Sequence, residues 1–537
     1  MSLGWTQHLI LVPVVLPLLC GALLIPVNEK RHQLKFIVNL ASVLGLLATA
    51  ITLVWLTDGG WPDGIGVYLM ANWVAPFGIA FLADRLSTLM LLFTALLAGA
   101  VLCYSMRSWS RIGVHFHSLF QFLLMGLNGA FLTHDLFNLF VFFEVMLAAS
   151  YGLLLHGYNP ARLRASLHYI AVNLAASLLF LIGVALIYAA TGTLNMADLA
   201  RRLSHISGDG LTLAQVGMTV LALAFLAKSA MWPLGFWLPA TYTAASPPVA
   251  AMFVLLTKVG IYIVLRLWLL IFANEPPGAA GFDALLWGGL ATIAFAAVGM
   301  LASETPARQA AYAAMVSSGI LLAIIGFGQS SLVPAALFYM LGSTLAIAAF
   351  MLLIELVERI NRPGAAMLAL TMEAFAIDER PEQPVGEGIP ATLAFLGLAF
   401  IACALIIAGL PPLNGFVAKF SILHGLLHPG PGQTVSPGAM TLIALILVSG
   451  LAAIISLLRF GVRTFWAAGV LKPPPLHVTE VAPIGLLLLF SGGFVVQAGP
   501  VFEYLHRTAD GLQRPAQYIE RVLEEPVVPN PLSPLGR

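Results

Sequence analysis

Residues 225–239 read FLAKSAMWPLGFWLP and place a lysine and two prolines inside a long apolar stretch. Proline lacks a backbone N–H and interrupts helices, so we expect Pro233 and Pro239 to break the helix that carries Lys228. A lysine at the centre of a bilayer costs about 2.5–3.5 kcal/mol on insertion scales. A break admits water and polar backbone to that depth, and it therefore gives the lysine a place where it can titrate.

The composition of the whole chain is that of a membrane protein. Of its 537 residues, 60% are hydrophobic and 9% are charged, whereas soluble domains average roughly 25% charged residues. The mean hydropathy is +0.95, and the apolar runs are continuous rather than alternating, which favours helices over an outer-membrane barrel. The net charge of +1 provides no basic face for nucleic acid. The three cysteines lack CxxC spacing, so we expect neither a disulfide framework nor a cysteine metal site.

Fourteen apolar segments approach or exceed the length of about 20 residues that a transmembrane helix needs. We predict an all-α polytopic membrane protein with about 14 transmembrane helices, numbered in chain order, at residues 9–27, 34–56, 79–104, 116–133, 136–157, 165–190, 212–240, 246–272, 280–302, 308–328, 332–357, 390–427, 437–465 and 479–498. Predicted helices 7 and 12 are too long for one straight span. They contain Pro233, Pro411 and Pro412, so we expect both helices to be broken.

The distribution of lysine and arginine predicts the orientation, because these residues favour cytoplasmic loops. They concentrate in the loops after odd-numbered predicted helices and are sparse after even-numbered ones. The odd loops are therefore predicted to be cytoplasmic, and both chain termini are predicted to lie outside. The N-terminal residues MSLGWTQHL lack a basic region, so we expect the first apolar run to be retained as a helix.

Predicted helices 4–8 and 9–13 suggest an internal repeat. In each block of five the fourth helix is broken, and the stretch 225–239 corresponds to LIIAGLPPLNGFVAKF at 405–420. Because five is an odd number, consecutive five-helix units enter the membrane from opposite sides. The pattern thus predicts two inverted repeats, with the functional centre at the broken helices 7 and 12.

The repeats divide the chain into four parts. These are helices 1–3, the first repeat, the second repeat, and helix 14 with an amphipathic tail, at residues 1–110, 111–275, 276–470 and 471–537. We interpret the acidic cytoplasmic loop 362–390 as a solvated connection, with docking to a partner as the alternative. The tail at 499–525 is expected to lie on the outer surface or along a neighbour.

Four charged residues lie deep inside predicted helices 5, 7, 8 and 12, and they are Glu144, Lys228, Lys258 and Lys419. The structural alternative is a neutral glutamic acid at Glu144 bonded to a neighbouring helix, and a Lys228 that caps carbonyls freed by Pro233. One acid and three amines at similar depth instead form a chain of titratable groups. We expect a Glu144–Lys228 ion pair that keeps the lysine protonated and favours proton release when the pair separates.

Other polar residues are weaker candidates. His424 follows the second break closely and could extend the polar path. His134 and Asp135 lie at the outer end of predicted helix 5, and we interpret them as structural, with an extension of the path as the alternative. Asp84 and Arg85 are interpreted as an interfacial pair.

Three segments carry a resemblance to a known family: DLFNLFVFFEVMLAASYGLLLHG (135–157), FLAKSAMWPLGFWLPATYTAASPPVAAMFVLLTKVGIY (225–262) and LIIAGLPPLNGFVAKF (405–420). They resemble the proton-conducting antiporter-like subunits of respiratory complex I, membrane hydrogenases and Mrp-type multisubunit cation/proton antiporters. The first segment is similar to the D-type subunit of the Mrp (Pha) antiporters. The insert TMEAFAIDERPEQPVGEGIPATLAFLGLAF (371–400) is similar to the proteobacterial form. The resemblance covers about residues 75–465.

The resemblance implies a function, partners and site residues. Glu144, Lys228, Lys258 and Lys419 match the charged residues of the family's central hydrophilic axis. The implied function is proton translocation in a monovalent cation (Na⁺ or K⁺)/proton antiporter of a bacterial inner membrane, without a cofactor and without enzyme activity. Both termini would then be periplasmic. The implied partners are antiporter subunits of the A/B, C, E, F and G types, membrane lipid, protons and the cation.

One departure and two rival interpretations remain. In RQAAYAAMVSSGIL (308–321), Ala313 and Ser317 stand where many members of the family carry larger polar groups, so we expect water to complete the path between Lys258 and Lys419. The main alternative is a proton-pumping subunit of a complex I-like NADH:quinone oxidoreductase or a membrane hydrogenase. A structural scaffold is the other alternative, and it leaves four buried charges unexplained.

Overall fold

A computed structural model describes residues 5–271, 280–359, 390–429, 434–465 and 476–527. The predicted acidic loop 362–390 lies outside these ranges except for its last residue. The predicted boundaries between the two repeats and before the last helix also fall outside the described residues.

Helices make up most of the described chain. In chain order they are α1 (Trp5–His8), α2 (Val12–Leu24), α3 (His32–Trp55), α4 (Arg85–Ser105), α5 (Phe116–Leu132), α6 (Leu136–Leu155), α7 (Pro160–Thr191), α8 (Met196–Leu203), α9 (Asp209–Lys228), α10 (Trp237–Ala244), α11 (Pro247–Ile271), α12 (Ala280–Ala302), α13 (Pro306–Gly326), α14 (Val333–Glu358), α15 (Ala391–Ala408), α16 (Asn414–Leu427), α17 (Pro437–Phe465), α18 (Val478–Val496), α19 (Ala498–Leu512) and α20 (Pro515–Leu523). Two short strands, β1 (Gly66–Leu69) and β2 (Ala80–Ala83), pair in antiparallel fashion.

Twelve helices among the described residues are long and apolar enough to cross a membrane. They coincide with twelve of the fourteen predicted segments. The other two predicted segments, 9–27 and 116–133, hold the shorter apolar helices α2 and α5. The prediction of an all-α polytopic membrane protein is confirmed, while the count of fourteen and the inversion of the repeats stay predictions.

The start of predicted helix 3 was wrong, because residues 80–83 form strand β2 instead of a helix. The helix begins only at Arg85, where Asp84 and Ser87 form a reciprocal cap. The Asp84 carboxylate accepts a hydrogen bond from the Ser87 backbone N–H at 2.8 Å, and the Ser87 hydroxyl accepts one from the Asp84 N–H at 2.9 Å. Such a capping box satisfies N–H groups that the first helical turn leaves free.

Both predicted breaks are present as non-helical segments. Helix α9 ends at Lys228, and α10 begins only at Trp237, so Pro233 lies between them. Pro239 instead lies in the first turn of α10, where a missing N–H costs nothing. Helix α15 ends at Ala408 and α16 begins at Asn414, with Pro411 and Pro412 in the gap. The gaps leave backbone groups of four helix ends without helical partners.

Helices α11, α13 and α14 form the interior of the bundle. They are buried along essentially their whole apolar length, whereas peripheral helices such as α15 and α18 are buried over only about a third of theirs. Lys258, Ser317 and Ser343 belong to these three central helices. The centre of the molecule is therefore polar at the level of these three residues.

The predicted amphipathic tail forms α19 and α20, which fold onto the body of the protein. Leu505 and Val522 are fully buried there, and the Tyr504 hydroxyl donates to the Arg85 carbonyl at 3.0 Å. The aromatic rings of Phe502 and Phe338 stack with centroids 4.5 Å apart. The tail thus covers the end of the bundle where α4 begins.

Candidate functional site

Glu144 and Lys228 meet through a serine hydroxyl. The Lys228 ammonium donates to the Ser177 hydroxyl at 3.3 Å, and that hydroxyl donates to the Glu144 carboxylate. The predicted direct ion pair was wrong, because Ser177 of α7 lies between the two charged groups and no N–O distance of 4 Å or less joins them. Lys228, Ser177 and Glu144 nevertheless form one row of hydrogen bonds. Each bond in this row is donated in the direction from the lysine to the glutamate.

Lys228 is held at the last residue of α9 by the break that follows it. Its side chain is buried, and the ammonium lies 5.0 Å from the centroid of the Phe143 ring, where the ring face attracts a cation. Across the break, the Trp237 indole donates to the Ala227 carbonyl at 3.1 Å. This bond satisfies one carbonyl freed at the end of α9, so Lys228 does not serve as its cap.

Lys258 is completely buried in the central helix α11 and begins a second row. Its ammonium donates to the Ser317 hydroxyl at 2.7 Å, and Ser317 lies 2.9 Å from the Ser343 hydroxyl. The three residues come from three different helices, α11, α13 and α14. Ser317, which the sequence suggested as a weak link, is therefore the direct partner of the central lysine.

A small cavity continues this row to Lys419. Its volume is about 20 Å³, and its lining includes Ala313, Ser343, Ser449 and Lys419. A cavity of roughly 10–15 Å³ in this measure admits one water molecule. The space left by Ala313 is therefore where the predicted water between Lys258 and Lys419 fits.

Lys419 itself points back across the second break. Its ammonium donates to the Ala408 carbonyl at 2.8 Å and to the Ile407 carbonyl at 3.2 Å, both at the end of α15. These are carbonyls that the helix end leaves free. The capping role that we considered for Lys228 is found at Lys419 instead, and it leaves the ammonium beside the cavity.

The two rows approach each other where α9 meets α11. The Ser229 hydroxyl is buried without a hydrogen-bond partner, and a side-chain carbon on Gly260 would lie 2.5 Å from it. Ser229 follows Lys228, and Gly260 is two residues from Lys258. The absence of a side chain at Gly260 thus lets the segments that carry the two lysines touch.

The weaker candidates lie away from these rows. His424 lies five residues after Lys419, a spacing that places the two side chains on different faces of α16. Its ring is exposed and stacks on the ring of His428, with centroids 4.4 Å apart. Asp135 caps α6 by accepting from the Asn138 N–H at 2.8 Å, and burial raises the pKa of its carboxyl. His134 is fully buried before α6, and its ring donates to the Leu132 carbonyl at 3.0 Å.

An ion pair that the sequence did not suggest lies near His134. Arg266 of α11 donates to Asp84 at 2.8 Å, and Arg85 instead lies 3.3 Å from Asp58, so the interpretation of Asp84 and Arg85 as one pair was wrong. Burial alone would raise the pKa of Asp84, but the Arg266 charge and hydrogen bond outweigh it and lower the pKa to about 2. Burial, and then the same arginine, lowers the pKa of His134 to about 3. Asp84 is thus a carboxylate and His134 a neutral imidazole at neutral pH.

Metal-ligating side chains do not gather anywhere in the described ranges: no group of three or more His, Cys, Asp or Glu residues there is placed to hold a metal ion. The arrangement instead suits proton transfer, since amines, hydroxyls and a carboxylate can pass protons along hydrogen bonds.

Comparison with known proteins places this geometry in a family. The model described as "NADH:quinone oxidoreductase/Mrp antiporter, TM" matches residues 133–444, which include the half-buried Glu144 and the three buried lysines. The chain belongs to this family. The resemblance predicted from the three sequence segments is therefore confirmed.

Individual relatives match nearly the whole chain. It is 51% identical over 531 residues to the probable D-type subunit of the K⁺/H⁺ antiporter of Rhizobium meliloti (strain 1021), covering 97% of this chain and 98% of the relative. It is 34% identical over 525 residues to the D-type subunit of the Na⁺/H⁺ antiporter of Bacillus subtilis (strain 168), covering 97% and 100%. In the solved Mrp complex from Dietzia sp. DQ12-45-1b, a chain superposes with a TM-score of 0.81 and 27% identity, covering 97% of this chain and 100% of that one. These names are those of transporter components, as the sequence had implied.

Proposed function

We propose that this protein is the proton-translocating D-type subunit of a multisubunit monovalent cation (Na⁺ or K⁺)/proton antiporter in a bacterial inner membrane. The observation that carries the proposal is the pair of hydrogen-bonded rows, Glu144–Ser177–Lys228 and Lys258–Ser317–Ser343, which lie inside an apolar helical bundle together with Lys419. The names of the two antiporter relatives support the cation/proton assignment. Partner subunits of the A/B, C, E, F and G types would complete the transporter.

The hydrogen-bond directions give the first row a defined proton step. Lys228 passes a proton to the Ser177 oxygen while the proton of Ser177 moves to Glu144, which leaves a neutral amine and a neutral acid. The reverse step restores the two charges. It costs free energy to keep Lys228 and Glu144 both charged but apart inside the protein. The charged and the neutral form of this row are therefore close in free energy, and a small movement of the two side chains decides which form is populated.

The second row extends transfer toward the other break. Lys258 passes a proton through Ser317 and Ser343, and the cavity beside Ser343 leads to Lys419. Each lysine that takes up a proton repels the next one, so charge moves along the row one site at a time. The apolar packing around the rows prevents a continuous water leak.

Antiport in membrane vesicles tests the proposal directly. The complete set of antiporter genes is expressed in a host that lacks its own antiporters, and a pH-sensitive dye reports collapse of an imposed proton gradient on addition of Na⁺ or K⁺. We expect cation-dependent collapse with the unaltered protein and none with Glu144→Ala, while the other subunits still copurify. Normal antiport by an assembled Glu144→Ala complex would refute the proposed role of the row.

The second candidate function is a proton-pumping subunit of a complex I-like oxidoreductase or membrane hydrogenase, which the family description itself includes. The neighbouring genes distinguish the two, because an antiporter requires the other small antiporter subunits and an oxidoreductase requires dehydrogenase genes. NADH-driven acidification in the same vesicles, without added cation, would favour the second candidate.

A further inference from the structure

A second polar region lies two helical turns from Lys258 along α11, toward the predicted outer side. Lys258, Tyr262 and Arg266 are spaced four residues apart, so they share one face of the helix. At a rise of 1.5 Å per residue, Arg266 is about 12 Å from Lys258 along the axis. Arg266 donates to the Tyr262 hydroxyl at 3.0 Å, and that hydroxyl donates to the Phe131 carbonyl at 2.7 Å. The row that begins at Lys258 is therefore followed along the same helix by two further polar residues, Tyr262 and Arg266.

A cavity of about 50 Å³ reaches this continuation from the protein surface. Its inner wall includes Asp84 and Arg266, and its outer wall is formed by Arg507, Gly511 and Tyr518 of the C-terminal helices. This volume exceeds the roughly 10–15 Å³ that one water molecule requires. The cavity is therefore large enough for several waters between the ion pair and the surface.

Two buried polar atoms at the same place have no hydrogen-bond partner among the described residues. They are Nε2 of His134 and the hydroxyl of Tyr518, and the two rings lie with centroids 5.4 Å apart. Buried polar atoms are normally paired, either with protein or with ordered water. Both atoms thus point to water in this region.

The charges around the cavity balance, which argues against an anion-binding site. The lining carries Asp63 and Asp84 beside Arg85, Arg266 and Arg507, and Asp58 adds a third carboxylate next to it. Asp58 accepts from Arg507 at 3.0 Å and from Arg85 at 3.3 Å, and it ties α19 to the end of the bundle.

We propose that this cavity is the outer vestibule of the proton route, with the Asp84–Arg266 pair as its inner gate and helices α19 and α20 as its roof. The proposal rests on the proposed proton-translocating function. In the closed state the Arg266 guanidinium stays bonded to Asp84 and to the Tyr262 hydroxyl, and it separates the vestibule from Lys258. Opening the pair connects the vestibule water with Lys258 through the position of Tyr262. The C-terminal helices are then part of the transport route and not only a surface covering.

Modification of Gly511 tests the vestibule. Gly511 lines the cavity, and a side chain there would meet no heavy atom within 4 Å, so Gly511→Cys is expected to assemble normally. The variant is made in a chain whose Cys20, Cys103 and Cys403 are replaced by alanine, within the complete complex. Gly499→Cys is the matched control, since Gly499 lies in the same helix with equal space and does not line the cavity.

A bulky, membrane-impermeant cationic methanethiosulfonate is applied to one side of the vesicles at a time. From the predicted outer side, we expect it to label both cysteines and to reduce antiport at least fivefold in Gly511→Cys only. A small methyl reagent should leave both variants active. Labelled Gly511→Cys with unchanged antiport, or labelling only from the opposite side, would overturn the vestibule. If none of the unlabelled complexes shows antiport, including the complex with the unaltered protein, the proposed function itself would be overturned.

Discussion

At the scale of single residues, the serine hydroxyls decide whether the buried charges form a connected row. Ser177 joins Glu144 to Lys228 by hydrogen bonds, and a hydrogen bond to a charged group is worth about 1.5–3 kcal/mol. We therefore predict that Ser177→Ala lowers the antiport rate about tenfold or more in an assembled complex. Ser166→Ala is the control, because Ser166 is buried in the same helix and its hydroxyl has no partner. Equal rates for the two variants would contradict the relay.

The charge of Glu144 has a separate effect at the residue scale. Glu144→Gln keeps the shape and an acceptor for Ser177 but removes the negative charge that favours the protonated form of Lys228. We predict that antiport stops or that its pH profile moves toward lower pH, as measured by dye response across the active pH range. An unchanged profile would show that Glu144 and Lys228 are not coupled.

Sequence alone indicated the charged members of the site but not their partners. Lysine and glutamate stand out in apolar helices because of their cost. Serine does not stand out, since it commonly bonds its own helix backbone, as Ser150 and Ser449 do here. Only the packing of α7 against α6 and α9 shows that Ser177 bonds across helices. The Asp84–Arg266 pair was equally hidden, because 182 residues separate its members.

At the scale of elements, the two breaks position the lysines, and the second depends on close backbone contact. A side-chain carbon on Gly415 would lie 2.0 Å from the Ile406 carbonyl oxygen at the end of α15. We predict that Gly415→Ala pushes α16 away from α15, costs about 1–3 kcal/mol of stability, and lowers antiport by separating Lys419 from its carbonyls. Thermal melting of the purified complex and the antiport rate give the two readouts.

The matched control for this change is Gly397→Ala, since Gly397 lies in α15 with no heavy atom within 4 Å of an added carbon. It should leave both melting and antiport unchanged. A Gly415→Ala complex with normal melting and normal transport would show that the break tolerates a shift of α16.

The breaks were predictable as elements, while the hairpin before α4 was not. Prolines inside long apolar segments are strong local signals, and they placed both breaks correctly. Strand β2, with the sequence AFLA, is equally compatible with helix and strand, and its pairing with β1 decides between them. The helix start at Arg85 follows from the cap formed by Asp84.

At the scale of the whole molecule, the inverted repeat predicts that the two breaks open to opposite sides of the membrane. We expect membrane-impermeant thiol reagents to label Trp232→Cys, in the first break, and Leu413→Cys, in the second, from different sides of oriented vesicles. Labelling of both positions from the same side would contradict the half-channel arrangement, although the rows themselves could still conduct.

The central claim is that protons cross between the two halves of the molecule through Lys258. This residue lies completely buried in the middle of α11, and its only hydrogen bond in the described structure leads to Ser317 of the second half. The most direct measurement is cation-dependent antiport by the complete complex carrying Lys258→Met, compared with Thr257→Val. Thr257 is the adjacent buried residue, and its hydroxyl donates to the Val254 carbonyl of its own helix at 3.0 Å. We predict that Thr257→Val transports normally and that Lys258→Met assembles but shows no antiport. Full antiport by the assembled Lys258→Met complex would contradict a proton route through the centre of this protein.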